Sequence, residues 1–444
     1  LDDIDFMDPD KFQQRGYPFA QWDLLRREAP VYRYERDNDG PFYAITRHQD
    51  IHRISRDPKT FSSDNRLILP GEAGERLAGL KQLNRERAIA RGEPDPDVYS
   101  QRDPTILGMD PPQHGIYRNL VARRFAPRAL RELEPHVEEL AARYVDDAAK
   151  ALVDAMAEGT SCDFVAEVAM KLPLTTICEM MNIPREDHDL MIDLTNRTIG
   201  STDPEFVPDP ADRGRATQEL FGYFAALIQK RIDDGLKDDD LISVLLRARV
   251  DGQPLSHEYL LSYCQILIIA GNETTRNATA GGMLALLQHP DQYERLRNDP
   301  SLLPGAIEEI LRWTSPVIHF PRTATSDVEI QGVTVRAGEV VRLFYPSANR
   351  DEQLFDDPYT FDITRSPNDH LAFGGFGEHF CLGSNLARLE IRVMFEELLR
   401  RLPDIELAGP ARRLRSNFIN GVKEMPVRFT PERSRAARNS SPTA

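Results

Sequence analysis

Four stretches of the chain combine residue types and spacings that could do chemistry. The sharpest is Phe373-Gly-Gly-Phe-Gly-Glu-His-Phe-Cys381-Leu-Gly383. Its glycines let the backbone turn tightly and lie close against a flat ligand. Helical apolar spacing resumes just after Cys381, which predicts its thiol at a helix N-terminus. Unpaired N–H groups and the helix dipole there favour the thiolate, the form that ligates metal. A free cysteine is more often an inert core residue, and Cys162, Cys178 and Cys264 are read that way. The glycine-rich loop, with His379 two residues before the thiol, argues otherwise for Cys381. Second, Glu273-Thr274-Thr275 interrupts a long apolar pattern. An acid beside an alcohol can relay protons, although a kinked core helix would look the same. Third, Glu309 and Arg312 stand at ExxR spacing, on an exposed helix worth roughly a few tenths of a kcal/mol. Fourth, Asp110-Pro-Pro-Gln-His114-Gly-Ile-Tyr-Arg118 sets a His and an Arg at i, i+4, suited to a carboxylate. Taken singly, either of the last two could be a solvated helix face.

The elements that must hold these residues follow from periodicity. An apolar helix is predicted from Ser256 to about His289, roughly 50 Å long. Gly271 and the threonines predict a weakened hydrogen-bond ladder in its middle. Ile266, Ala270 and Thr274, at i, i+4 and i+8, share a face offering apolar wall, a gap beside Gly271, and a hydroxyl. Residues from about 127 to 290 read as helix almost throughout, with breaks at 201–214 and 233–240. Strands are predicted at Val31–Tyr34, Phe42–Thr46, Val328–Val335 and Val340–Phe344, and a final helix from about 384 to 401. Residues 64–105 are polar, with weak helical spacing at Leu77, Leu80 and Leu83; such a segment is usually functional or mobile. The tail from Pro431 is expected to be disordered. The fold class expected is mainly α with small β-sheets, in a single domain over 1–430.

Composition narrows the function. The 444 residues are 41% hydrophobic and carry 55 basic against 71 acidic side chains, a net charge of −16. That balance opposes binding to nucleic acid or anionic membranes. Four cysteines, none in a CxxC pair, argue against a disulfide framework and for a reducing compartment. The opening LDDIDFMDPD is acidic, unlike a secretory signal or transit peptide, and its lack of a Met suggests a trimmed start. The longest uncharged apolar stretch, Tyr259 to Asn272, falls short of the ~20 residues that span a bilayer. A cytoplasmic protein without a membrane anchor is expected. His48 and His52 are spaced for zinc, but lack a third ligand or a Glu base and are read as a solvated face. Phe-Gly-Gly-Phe-Gly is not a dinucleotide fingerprint.

Together, in this order, the four motifs resemble a bacterial cytochrome P450 monooxygenase over essentially the whole chain to about residue 430. The resemblance implies haem b (iron protoporphyrin IX), with Cys381 as the proximal iron ligand. It implies that Glu273 and Thr274 form the acid–alcohol pair of the long distal helix. Glu309 and Arg312 match a buried structural network completed by Arg365, in Phe-Asp-Ile-Thr-Arg. His114, Arg118, Arg322 and His379 match positions that bind the haem propionates, and Ala270, Gly271 and Gly383 also border the cofactor. Ile266, Ile269, Ala270, Val317 and Ile318 match pocket-lining positions, all apolar, which favours a sterol or terpenoid substrate. The segments 64–105 and 201–214 are expected to close over it. The family has Phe seven residues before the Cys; here that position is Gly374, with Phe373 one further back, so the loop reads as one residue longer. Phe373-Gly-Gly, Gly-Asn-Glu-Thr-Thr-Arg-Asn (271–277) and Phe-Tyr-Pro-Ser-Ala-Asn (344–349) resemble the actinobacterial cholesterol side-chain hydroxylases.

No flavin or nicotinamide module is evident in the sequence, so electrons are expected from a ferredoxin and its reductase, acting on a monomer. Arg118, Arg123, Arg124, Arg128 and Arg131 follow one another without an intervening acid. Arg118 is assigned to haem, and the other four are candidates to dock an acidic ferredoxin. Two rivals are a haem-thiolate peroxygenase, which needs no proton relay, and a non-catalytic haem sensor or carrier. The Glu273–Thr274 pair argues against both.

Overall fold

The computed structural model describes residues 4–35, 40–63, 105–157, 161–209, 212, 214–236 and 239–430. The expected tail, most of the 64–105 segment with Leu77, Leu80 and Leu83, and parts of the 201–214 and 233–240 breaks lie outside these. The helices that frame the site are α1 (His48–Ser55), α2 (Gln113–Asn119), α3 (Pro127–Ala157), α4 (Lys171–Met180), α5 (His188–Ile199), α6 (Arg215–Asp233), α7 (His257–Gln288), α8 (Leu303–Thr314) and α9 (Ser384–Arg401). The Ser256 hydroxyl caps α7 by accepting the Tyr259 N–H at 3.4 Å. α7 is buried on nearly every side, as an all-round apolar helix must be, and packs against α4, α5, α6, α8 and α9. The largest apolar cluster runs from Ile106 to Phe429 around it. α7 is continuous through Gly271 and Thr274, in keeping with the single helix read from Ser256 to about His289. The Thr274 hydroxyl donates to the Ala270 carbonyl at 2.9 Å, so the ladder is decorated rather than broken.

A five-stranded sheet forms from β1 (Val31–Tyr34), β2 (Phe42–Ile45), β3 (Phe61–Ser62), β4 (His319–Ala324) and a strand near residue 340. Before that last strand, the run Val328–Val335 is not one strand but a hairpin of β5 (Val328–Ile330) and β6 (Val333–Val335). Its turn residues, Gln331 at φ 51° and Gly332 at φ 78°, adopt the left-handed geometry of a two-residue hairpin turn. The fifth strand of the large sheet is β7 (Val340–Phe344). It runs parallel to β2 and antiparallel to β4, which places Arg322 opposite Val341.

Glu309 and Arg312, on α8, are both fully buried. Arg312 donates to the two Glu309 oxygens at 2.8 and 2.7 Å, and to the carbonyls of Asn349 and Pro358 at 2.7 and 2.9 Å. Arg365 joins at 3.3 Å from Glu309. Breaking one side of a buried charge pair leaves the other uncompensated, which costs about 3–5 kcal/mol. Glu309→Gln should therefore lower unfolding stability by about that amount; a urea midpoint equal to wild type would show that the network contributes no stability.

Candidate functional site

Cys381 lies three residues before α9, in the loop whose closing bond is its own N–H donated to the Phe373 carbonyl at 2.9 Å. Burial pushes its thiol up, opposed by the Gly383 N–H and by the charges of Arg118 and Arg388. A thiol this strongly desolvated is nonetheless only partly covered. Both hold if its open side faces an interior space. Two of the loop's glycines seat it against a neighbouring helix. A side chain on Gly375 would strike the Ser55 hydroxyl, and one on Gly377 the Ser55 carbonyl, so both let the loop seat against the end of α1. Gly374, at φ 96°, takes a backbone conformation that favours glycine. Gly383 has open space around it.

On α7, Ala270 is exposed and Ile266 and Thr274 half-buried, although Leu267, Ile268, Asn272, Glu273 and Thr275 beside them are buried. The face expected from i, i+4, i+8 spacing therefore opens onto space inside a buried helix. Gly271 turns elsewhere: a Cβ there would come within 3.0 Å of Ile177, so it admits α4 rather than a cofactor. Ile269 is nearly buried in the helical core. Ile318 cannot line a pocket. It lies just ahead of β4 and is fully buried in a separate cluster with Phe6, Trp22, Phe42 and Phe344. Val317 packs, half-buried, on the sheet cluster.

Glu273 and Thr274 do not face each other. The Glu273 carboxylate is buried in an ion pair with Arg276, which also donates to Asn196 at 2.6 Å. Burial pushes the Glu273 carboxyl up, and the Arg276 charge and hydrogen bond pull against it. Arg276 and Asn196 were missed in the sequence; the i, i+3 spacing of Glu273 and Arg276 was the available signal.

His114, Arg118, Arg322 and His379 converge. The His114 and His379 rings lie 4.1 Å apart between centroids. His114 Nδ1 and His379 Nε2 are buried without a hydrogen-bond partner. Burial, Arg118 and Arg322 lower His114 to about 4. His379 is held well below its usual range by burial, Arg322 and His114. Burial also lowers Arg322, with Tyr345 and Asp110 opposing. Two guanidiniums beside histidine nitrogens without partners are surroundings that suit an anion. Of the arginines expected at a docking surface, Arg123, Arg128 and Arg131 are exposed. Arg124 is not free: it pairs with Asp239 at 2.5 Å, holding that carboxyl below its usual range. His48 Nε2 lies 2.7 Å from the Asp369 carbonyl oxygen, its ring beside that of His52. Among the described residues, no helix is long and apolar enough to cross a membrane.

A cysteine loop before the last long helix, an open strip on the central helix and two arginines set among buried histidines are what the haem-thiolate class would require. Residues 83–403 match the family described as Cytochrome P450. The chain is 38% identical over 413 residues to a methyl-branched lipid omega-hydroxylase of Mycobacterium tuberculosis, covering 91% of this chain and 90% of that one. It is 36% identical to a steroid C26-monooxygenase of the same species, covering 96% and 93%. The structure of Mycobacterium marinum cytochrome P450 CYP268A2 in complex with pseudoionone superposes with a TM-score of 0.84 at 32% identity, covering 97% of this chain and 99% of that one. The chain belongs to the cytochrome P450 family. It is a haem-dependent monooxygenase, and as such it draws electrons from a redox partner.

The residues present fit haem. A dianionic propionate edge would answer the orphaned ring nitrogens of His114 and His379 and the charges of Arg118 and Arg322. Arg322→Gln should raise the dissociation constant for haem roughly 10- to 100-fold, the worth of one charge-assisted hydrogen bond. Haem-free protein should also be acid-sensitive. Unfolded His114 binds a proton near 6.5 and the folded form only near about 4, so between those values the unfolded state holds more protons. Stability then rises with pH across that window and falls as pH drops through it. His114→Gln should flatten this slope in urea titrations of the haem-free protein; an identical slope would remove His114 from the cluster's energetics.

Proposed function

We propose that this monooxygenase hydroxylates the end of a branched aliphatic chain on a large hydrophobic molecule, a methyl-branched lipid, a sterol side chain or a terpenoid. The open strip Ile266–Ala270–Thr274 carries the reading. It is apolar for two helical turns and ends in one hydroxyl, so an uncharged chain can lie along it while Thr274 meets its tip. The names of the two mycobacterial relatives and the pseudoionone complex support this class.

Bound haem, held by a thiolate, supplies dioxygen activation. In the proposed arrangement Cys381 holds the iron, and His114, Arg118, Arg322 and His379 take the propionates. The Thr274 hydroxyl, whose proton points to the Ala270 carbonyl, keeps its lone pairs toward the open strip and can accept a hydrogen bond there. Glu273, one residue away, is pushed toward its neutral form by burial while its ion pair with Arg276 pulls against that shift. A ferredoxin is the proposed electron donor. Arg123, Arg128 and Arg131 would draw its acidic surface, although the chain as a whole carries a net charge of −16.

A panel of methyl-branched fatty acids, sterols with aliphatic side chains and acyclic terpenoids should shift the Soret band, and the product should carry its hydroxyl at the chain end. Tight binding of small polar acids, with no response to this panel, would overturn the substrate class. In Thr274→Ala, electron consumption should persist while hydroxylated product falls several-fold and hydrogen peroxide accumulates. Unchanged coupling would exclude the hydroxyl from proton delivery. Arg123→Gln with Arg128→Gln should slow reduction by ferredoxin, with the deficit shrinking as salt rises. Indifference of the rate to both charge and salt would place docking elsewhere.

A further inference from the structure

The loop that carries Cys381 is closed on Phe373, whose carbonyl accepts the Cys381 N–H. The sulfur can be no better fixed than Phe373 is. The Phe373 ring lies under a guanidinium, with Arg388 Cζ 4.5 Å from its centroid. The rings of His370 and Phe380 stand 6.1 and 6.3 Å from it. Arg388, on the first turns of α9, is itself gripped: its Nε and Nη2 donate to the two Glu308 oxygens at 2.7 and 2.8 Å. This fork-to-fork geometry fixes the guanidinium plane over the ring. His370 Nε2 lies 3.1 Å from Glu308, closing a ring of contacts around Phe373. Glu308 is the residue before Glu309, so one helix bears both the buried network and this second contact.

We propose that Glu308 and Arg388 are positioning residues for the Cys381 thiolate: their ion pair immobilises the Phe373 ring, and Phe373 in turn fixes the backbone of the cysteine. Phe373 stands where the loop is one residue longer than the family pattern, so this clamp takes up the slack that Gly374 introduces. Burial raises the Glu308 carboxyl, but the Arg388 and His370 hydrogen bonds outweigh it and bring it to about 2, so the pair is charged at all working pH values. Arg388 is also among the cations that favour the Cys381 thiolate. The inference rests on the reading of Cys381 as the axial ligand. Both partners are about one-third exposed, 34% for Arg388 and 31% for Glu308. A pair so placed contributes little to global stability, which separates its effect on the ligand from an effect on folding.

The test uses full-length, haem-loaded protein with Glu308→Gln, Arg388→Met, Arg388→Lys and the Glu308→Gln/Arg388→Met double variant. The readouts are the fraction of the reduced carbon monoxide complex with the red-shifted Soret band of thiolate ligation, the reduction potential, and the urea midpoint. Expected is a several-fold larger non-thiolate fraction and a displaced potential in Glu308→Gln and Arg388→Met, with the urea midpoint held. The double variant should be no worse than the poorer single one, because both remove the same clamp. Arg388→Lys, which keeps the charge and loses the fork, should behave like Arg388→Met. Wild-type spectra and potential in both single variants would overturn the proposal, as would full recovery by Arg388→Lys, which would make the effect one of charge alone. If Arg388→Met fails to take up haem, Glu308→Gln decides. Cys381→Ser, measured alongside, tests the axial reading by itself: were it to keep the thiolate band, that reading would fail whatever the clamp variants do.

Discussion

One carboxylate without water around it fixes where the cysteine loop can go. Glu309 is fully buried, and a charge so placed is stable only if its lone pairs are answered. Arg312 answers from its own helix. The remaining partners come from a stretch with little regular structure: the Asp362 N–H at 3.0 Å, Arg365 at 3.3 Å and the Asn368 amide at 3.1 Å. A loop of that length would otherwise have many conformations, and each bond to Glu309 removes a family of them. The Leu371 N–H, donated to the Asn349 side chain at 2.7 Å, carries the constraint onward to the first residues of the cysteine loop. The Glu308 contacts with Arg388 and His370 extend the same anchoring past it. Adjacent residues on α8 thus address the two ends of one loop.

The charge distribution runs the opposite way at the site. The chain as a whole is strongly acidic, yet its interior gathers His114, Arg118, Arg322 and His379, where burial and the two guanidiniums hold both histidines below their usual range. Such a cluster, only partly offset by Asp110 and Tyr345, would be relieved by a bound anion, and local rules broken in this way mark functional sites. Binding that relieves this repulsion adds its free energy to folding, so haem and fold are thermodynamically linked.

Periodicity made the scaffold legible. The ends of α7 and α9, the strands β1 and β7, and the position of Cys381 just ahead of α9 followed from local pattern and cap residues, because those features are decided within a turn or two of chain. The class of protein was legible because four motifs recur together. What escaped was decided across sequence separations of tens to hundreds of residues. Nothing near Gly375 and Gly377 announces that Ser55 will lie against them. Nothing near Ile318 indicates that its side of the sheet is the aromatic core built by Phe6, Trp22 and Phe344. Arg124 looked free because Asp239, its partner, arrives from a distant loop. The hairpin at Gln331-Gly332 is the exception, a local signal of two residues within a β-branched run that reads as one strand.

The geometry of α7 bears directly on the proposed proton relay. Neighbours on an α-helix point about 100° apart, so adjacent residues cannot share a face. Thr274 takes the open strip, and Glu273 is carried into the seam with α5, where Arg276 and Asn196 hold it. Adjacency in sequence therefore does not give contact, and a direct transfer from carboxyl to hydroxyl is excluded in this arrangement. Glu273 Oε1 is buried without a partner, as are Asn272 Oδ1, Arg276 Nε and both polar atoms of the Asn277 side chain. Each buried polar group left unanswered costs about 1–3 kcal/mol, so this stretch of α7 keeps its polar side chains at the expense of stability, and local rules broken in that way are the mark of a functional site.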